Sequence, residues 1–144
     1  VELFNRPEFH QAVIPAANGI STARDLARFY AMLSMGGTLD GVDIVRPGIV
    51  RGMAVLQEEG DDIGNDRYVK LGLGFALDDP AMGQHRGDER YGVTFGHGGL
   101  GSSIAWVEPD ERLAVAIITN GVRDRASNTK RLAELSDAVK QACL

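Results

Sequence analysis

A single cysteine, Cys143, stands among the 144 residues. One thiol closes no intrachain disulfide and builds no cysteine-based zinc site, which excludes a disulfide-stapled scaffold and a zinc ribbon. The compartment stays open, because a chain without disulfides suits any. Long apolar runs are missing too. No stretch approaches the ~20 residues that span a bilayer, and none has the shape of a secretion signal. Basic runs are likewise absent: 15 Lys and Arg face 20 Asp and Glu, for a formal charge of −5. With no Lys/Arg-rich footprint, a nucleic-acid partner is disfavoured. Histidine is scarce, and His10, His85 and His97 are too scattered to suggest a metal site. The acidic stretch 58–66 misses the spacing of an EF-hand loop and reads as a solvated connection. Internal repeats and low-complexity tracts are also lacking.

What is present is the composition of a folded domain. Hydrophobic residues make up 44% and charged residues 24% of a length that suffices for one core. Eighteen glycines exceed the ordinary ~7% and point to tight turns and close backbone approaches. The chain opens Val-Glu-Leu-Phe rather than with Met, as a processed product or a piece of something longer would.

Residues 1–15 read as irregular approach chain, interrupted by Pro7 and Pro15, and Asn18-Gly19 signals a turn. Thr22 and Asp25 have capping-box spacing, and Leu26, Phe29, Tyr30 and Leu33 follow as one apolar stripe. Together they predict a helix over 22–35, ended by Gly36-Gly37. Asp40-Gly41 predicts a small hairpin between 38–39 and 42–45, and Pro47 opens a shorter helix over 48–56. Residues 69–77 read as one strand bent at Gly72 and Gly74, followed by a polar loop over 78–90. Tyr91, Val93, Phe95 and His97 alternate as a strand, and 103–107 continue as another. Residues 108–111 make a turn, and 113–119 are apolar on both faces, the pattern of a central buried strand. Leu132, Leu135, Val139, Ala142 and Cys143 predict a C-terminal amphipathic helix over 127–143. The expected class is α+β: an antiparallel sheet packed with helices, the last of them lying on the sheet.

The chemistry concentrates in Phe95-Gly-His-Gly-Gly-Leu-Gly101. Its G-x-G-x-x-G spacing matches a dinucleotide fingerprint, but such a loop must open a helix, and here strand and turn follow. An α/β-hydrolase oxyanion loop would require a downstream G-x-S-x-G elbow, which the chain lacks. Two readings of His97 remain. It is either a hydrogen-bonded histidine on a tightly packed strand, or an imidazole at a site where glycines let a substrate carbonyl approach free main-chain N–H groups.

The segment from Pro15 to Phe29 resembles the active-site-side segment of class C beta-lactamase-like serine hydrolases. The His97-Gly98-Gly99 strand, Trp106 to Asp110 and the run from Leu113 to Asn120 resemble that family's third-motif strand and its partner. The resemblance runs from about Pro15 to the C-terminus, in family order. His97-Gly98-Gly99 takes the form of the related esterases, which carry His-x-Gly where the lactamases carry Lys-Thr-Gly. It implies that His97 lines the cleft, positioning substrate or tuning the serine's proton transfer. Leu100 would offer its backbone N–H to an oxyanion hole, and Gly98 and Gly99 would keep an edge strand clear for substrate.

The family's other motifs are not in place. No Tyr-x-Asn occurs at Tyr30, Tyr68 or Tyr91, and the sole Ser-x-x-Lys, at Ser127 to Lys130, comes after the His-Gly-Gly motif in reverse of family order. Helix capping explains that serine. The chain thus resembles the C-terminal part of such an enzyme, without the nucleophile-bearing part, and is expected to be inactive alone. No cofactor or metal is implied. The substrate class would be a small ester, amide or lactam, opened through an acyl-serine. A bared sheet edge would favour a homodimer or higher oligomer that covers it. The alternative is a non-catalytic module that keeps the cleft wall and binds a peptide, a cell-wall fragment or a protein partner near His97.

Overall fold

Apolar side chains on both faces of one short run demand cover on both sides, and the fold supplies it with helices. The computed structural model describes residues 2–17, 19–64, 66–84 and 93–143. Its centre is a six-stranded antiparallel sheet in strict meander order: β3 (Glu58–Asp62), β4 (Arg67–Leu71), β5 (Ala76–Leu77), β6 (Phe95–Gly98), β7 (Ser103–Glu108) and β8 (Leu113–Ile118). A two-stranded hairpin, β1 (Thr38–Leu39) with β2 (Val42–Asp43), stands apart. Helices α1 (Pro7–Gln11), α2 (Ala23–Ser34), α3 (Pro47–Met53) and α4 (Arg125–Cys143) complete the described elements, with 3-10 turns at Glu2–Asn5 and Pro80–Met82. The α+β class and the terminal helix packed on the sheet are as the sequence predicts.

Helix α2 begins where its cap dictates. The Thr22 side chain accepts the Asp25 amide at 3.1 Å and donates its hydroxyl to the Asp25 carboxylate at 2.7 Å. Its buried residues are Tyr30, Met32 and Leu33, packed with Phe95, Ala105 and Val107 on one sheet face. Phe29, expected in the stripe, is 47% exposed because the sheet meets the helix one residue further round. On the opposite face Trp106, Ile104 and Val115 pack with Leu132 of α4 and with Ala81 and Met82 of the second 3-10 turn. Strand β8 contributes Ala114 and Ala116 to the first layer and Leu113, Val115 and Ile117 to the second. That accounts for its unbroken apolar run.

Several elements differ from expectation. Strand β8 is at the end of the sheet and not central; its two covered faces, rather than two flanking strands, make it apolar. Residues 58–62 form β3 because they pair with β4 along their whole length, tertiary pairing overriding an acidic sequence. The single strand expected over 69–77 is two, β4 and β5, joined by a reversal in which the Gly72 amide donates to Phe75 O at 2.9 Å. Gly74 there has φ +82, and a Cβ on Gly72 would lie 2.2 Å from Met53 O, so glycine is required twice. Pro7 opens α1 at its first turn instead of interrupting a helix. Tyr91, expected in a strand, and Asn18 and His85 fall outside the described residues.

The buried face of α4 is Asn128, Leu132, Ser136 and Lys140, each four residues from the last. Of the expected apolar stripe, Leu132 and Val139 pack inward, whereas Leu135, Ala142 and Cys143 are exposed. The reason lies on β7. Trp106 is fully buried, and its indole N–H donates to Ser136 Oγ at 3.1 Å, which donates on to Ala81 O at 3.0 Å. Glu108, expected in a turn, is the last residue of β7 and is fully buried, 3.0 Å from Lys140 Nζ. The same ammonium donates to Gln84 O at 2.9 Å and lies 4.7 Å above the Trp106 ring. A buried polar strand end therefore selects a polar helix face.

Two expected outcomes follow from this packing. Removing one member of a buried ion pair leaves the other uncompensated, at a cost of about 3–5 kcal/mol. Lys140→Met should lower urea-unfolding stability by about that amount, read by the sole tryptophan, and adding Glu108→Leu should recover most of it. An unchanged midpoint in the single variant contradicts the assignment. Burial pushes the Tyr30 phenol up from 10.0 to about 12, against a smaller lowering by its hydrogen bond to the His97 main chain. The unfolded chain ionises first, so the stability from a neutral Tyr30 is fully present below pH 10 and lost as the pH climbs through about 12. Tyr30→Phe should flatten that alkaline decline of the melting temperature, and an equally steep decline would contradict it.

Candidate active site

Strand β6 starts in the core and ends in the open. Phe95 and Gly96 are buried, whereas His97 and Gly98 are exposed. Close packing explains the first glycine: a Cβ on Gly96 would lie 2.1 Å from Ala105 O and 2.6 Å from the Trp106 Cα. The strand is interior rather than at the sheet edge expected from the sequence. Its neighbour β5 pairs only with Phe95 and Gly96, however, so β5 leaves β6 uncovered beyond them. Across β7 the pairing continues through His97↔Ala105 and Gly98↔Ile104.

Nδ1 of His97 lies 2.7 Å from Gly98 O. A carbonyl oxygen only accepts, so Nδ1 donates in this contact. In a neutral ring that leaves the lone pair on Nε2. Beneath the strand end, the Tyr30 phenol of α2 is hydrogen-bonded to the main chain of His97. With its pKa near 12, that phenol stays protonated at neutral pH.

The β6–β7 connection is held from several directions. The Gly99 amide donates to Ser103 O at 2.8 Å, closing the hairpin. Ser102 O accepts the Thr119 amide at 3.0 Å and the Thr119 hydroxyl at 2.7 Å. Gly101 O accepts the Arg123 amide at 3.0 Å. Gly101 has φ +64, and a Cβ there would lie 2.4 Å from Arg123 O, so the loop sits directly on the chain leading into α4. Leu100 is 68% exposed at the tip, and its amide has no hydrogen-bond partner among the described residues. Gly98 differs from its neighbours: a Cβ there would meet nothing closer than Ser103 O at 3.7 Å.

All four residues singled out from the sequence, His97, Gly98, Gly99 and Leu100, line one open cavity of about 370 Å³. Sequence reasoning missed the opposite wall, where Arg123, Arg125, Asn128 and Thr129 approach from the start of α4. Arg67, which also lines the cavity, is paired with Asp79 at 2.5 Å. The signal for that wall was the polar residue at 128, on the helix face that turns inward.

Ser127 is not placed as a nucleophile. Its amide donates to Asp124 Oδ1 at 3.0 Å, and its hydroxyl is also hydrogen-bonded to that carboxylate. These bonds, the amide first, hold the Asp124 carboxyl below its ordinary value. The cap of α4 is thus Asp124, with Ser127 in the first turn, a correction to the cap expected at Ser127 itself. Lys130 is exposed. His10 is exposed in the N-terminal turn, its Nε2 2.6 Å from Phe4 O. Among the described residues no group of three His, Cys, Asp or Glu is placed to hold a metal ion, and no helix is long and apolar enough to cross a membrane.

Comparison with known proteins bears on the family and the fold. The profile of the Beta-lactamase family matches residues 2–139. The chain is 38% identical over 109 residues to the Esterase/beta-lactamase LipL of Mycobacterium tuberculosis, covering 76% of this chain and 24% of that protein. A penicillin-binding protein homolog from Caulobacter crescentus superposes with a TM-score of 0.69 at 28% identity, over 82% of this chain and 32% of that one. The fold is also that of a family VIII carboxylesterase, with a TM-score of 0.73 at 24% identity, over 99% of this chain and 37% of that one. The chain thus spans about a quarter to two-fifths of the length of these relatives. With a family profile that runs from the first turn nearly to the end of α4, this chain belongs to the beta-lactamase family and is esterase/beta-lactamase-like.

Proposed function

We propose that this chain forms the C-terminal wall of an acyl-transfer site that hydrolyses small esters, amides or lactams through an acyl-serine. The nucleophile comes from a part of the fold outside these 144 residues. One observation carries the reading: an imidazole whose Nδ1 is hydrogen-bonded to Gly98 O and an amide, Leu100 N–H, without a partner among the described residues stand on the same clamped hairpin. The similar proteins named above, an esterase/beta-lactamase and a penicillin-binding protein homolog, support the substrate class.

In this mechanism the serine oxygen attacks the substrate carbonyl carbon, and the carbonyl oxygen takes up the displaced electron pair. The Leu100 amide donates to that oxyanion, a contact worth most where water is excluded. Nε2 of His97 accepts a hydrogen bond beside the reacting carbon, orienting the substrate or easing the serine's proton transfer. The intermediate then collapses: the bond to the alcohol oxygen or the amide or lactam nitrogen breaks, and that atom takes up the proton given up by the serine. Water attacks the resulting acyl-serine, the C–Oγ bond breaks, a proton of the water returns to the serine and the acid is released. Gly98 fits this assignment because nothing in the folded chain requires it to lack a side chain; the space it leaves is available to substrate. Ser127 is engaged by the Asp124 cap, and among the described residues no Lys or His is hydrogen-bonded to its hydroxyl, so it is not assigned as the nucleophile.

The chain alone is therefore expected to leave p-nitrophenyl butyrate and a chromogenic cephalosporin unchanged above the buffer rate. Within a reading frame that supplies an upstream Ser-x-x-Lys and Tyr-x-Asn, ester turnover is expected, with His97→Ala lowering kcat/KM by about 10²-fold or more. Turnover by the isolated chain that Ser127→Ala abolishes would overturn the proposal, as would a full frame without a Ser-x-x-Lys.

A further inference from the structure

We infer that Arg131 is the positioning residue for the hairpin tip that carries Leu100; the inference rests on the acyl-transfer reading above only for its consequence in catalysis. Arg131 lies on α4, one helical turn beyond the cavity-lining Asn128. Its Nη2 donates to Thr119 Oγ1 at 3.2 Å and to Gly101 O at 3.4 Å, and to Asn128 Oδ1 at 2.6 Å. One guanidinium nitrogen therefore touches the hairpin tip, the end of β8 and its own helix. Thr119 Oγ1 accepts from Arg131 and donates its single proton, with Ser102 O at 2.7 Å the nearer acceptor and Gly121 O at 3.4 Å the farther. Gly101 and Ser102, the two residues after Leu100, are thereby fixed through their carbonyls, one directly and one through the threonine.

Two further features mark the arrangement as more than surface decoration. The Nε of Arg131 is buried without a hydrogen-bond partner, and no carboxylate neutralises the guanidinium among the described residues. A buried cation of that kind is costly unless its donors are used. Its use here is geometric. An oxyanion donor acts only when held within about half an ångström of its working position, and Leu100 N–H sits on an exposed tip. The positive charge also lies behind the tip at which negative charge would develop. Lysine would keep a cation and several donors on one nitrogen, but on a more flexible stem.

The test has two arms. In the 144-residue chain, hydrogen exchange is followed at the amides of Thr119 and Arg123, which donate into the tip, and at core amides of β7. Arg131→Met is expected to speed exchange of the first pair by about tenfold or more while β7 stays within about twofold. In the frame that carries the nucleophile, the same variant should lower kcat for p-nitrophenyl butyrate by about 10–10²-fold with KM within about twofold, and Arg131→Lys should recover part of it. Unchanged exchange at Thr119 and Arg123 would overturn the proposal, as would loss of protection throughout β7. A full frame with no turnover in the unsubstituted protein would sink the acyl-transfer reading while leaving the exchange arm to decide on Arg131.

Discussion

The docking of the C-terminal helix on Trp106 is the constraint on which the rest of the cleft depends. Trp106 is wholly buried on the middle of β7, and a buried indole N–H needs an acceptor. Ser136 supplies it and is itself satisfied by Ala81 O, while Lys140 covers the ring and meets Glu108 and Gln84. These bonds are directional, unlike the apolar contacts of Leu132 beside them. They fix both the rotation and the axial position of α4. A shift of one residue would carry Ser136 away from Trp106 and Ala81, and Lys140 away from Glu108 and Gln84.

From that placement the geometry of the candidate site follows in steps. Fixing α4 at Ser136 and Lys140 fixes Arg131 one turn earlier, and Asn128 and the Asp124 cap before it. Arg131 and Arg123 then hold Gly101, and Thr119 holds Ser102. Leu100 is left at the tip with its amide unengaged among the described residues. On the other side, α2 supports the His97 main chain through the buried Tyr30 phenol. Helices on opposite faces of the sheet thus immobilise one short strand end. Both are distant in sequence from it, so the site is a product of the whole fold.

Much of the architecture was legible because local and tertiary preferences agree. Thr22 and Asp25 announce α2, and alternation announces β7. The His97-Gly98-Gly99 segment stands out by its pattern and its resemblance, and it lines the open cavity. The failures share a cause. The acidic residues 58–62 become a strand only because β4 pairs with them, and no pattern within the segment says so. The apolar run of β8 has the pattern of a central strand, but helices on both faces cover it at the sheet's end. Leu132 and Val139 mark part of the inner face of α4, whereas Asn128, Ser136 and Lys140 carry no sign of burial until Trp106 and Glu108 lie beneath them. The cavity wall from Arg123 to Thr129 was hidden by the same inversion.

The central claim is that the Leu100 amide and His97 face the reacting carbonyl of a bound acyl group. The most direct measurement is the structure of the nucleophile-bearing protein with an arylboronic acid, whose tetrahedral boronate on serine stands in for the oxyanion intermediate. The account predicts one boronate oxygen at about 2.7–3.1 Å from Leu100 N, with His97 Nε2 lining the same site. A boronate bound on serine with its oxygens directed away from the hairpin, and Leu100 N still without a partner, would contradict it.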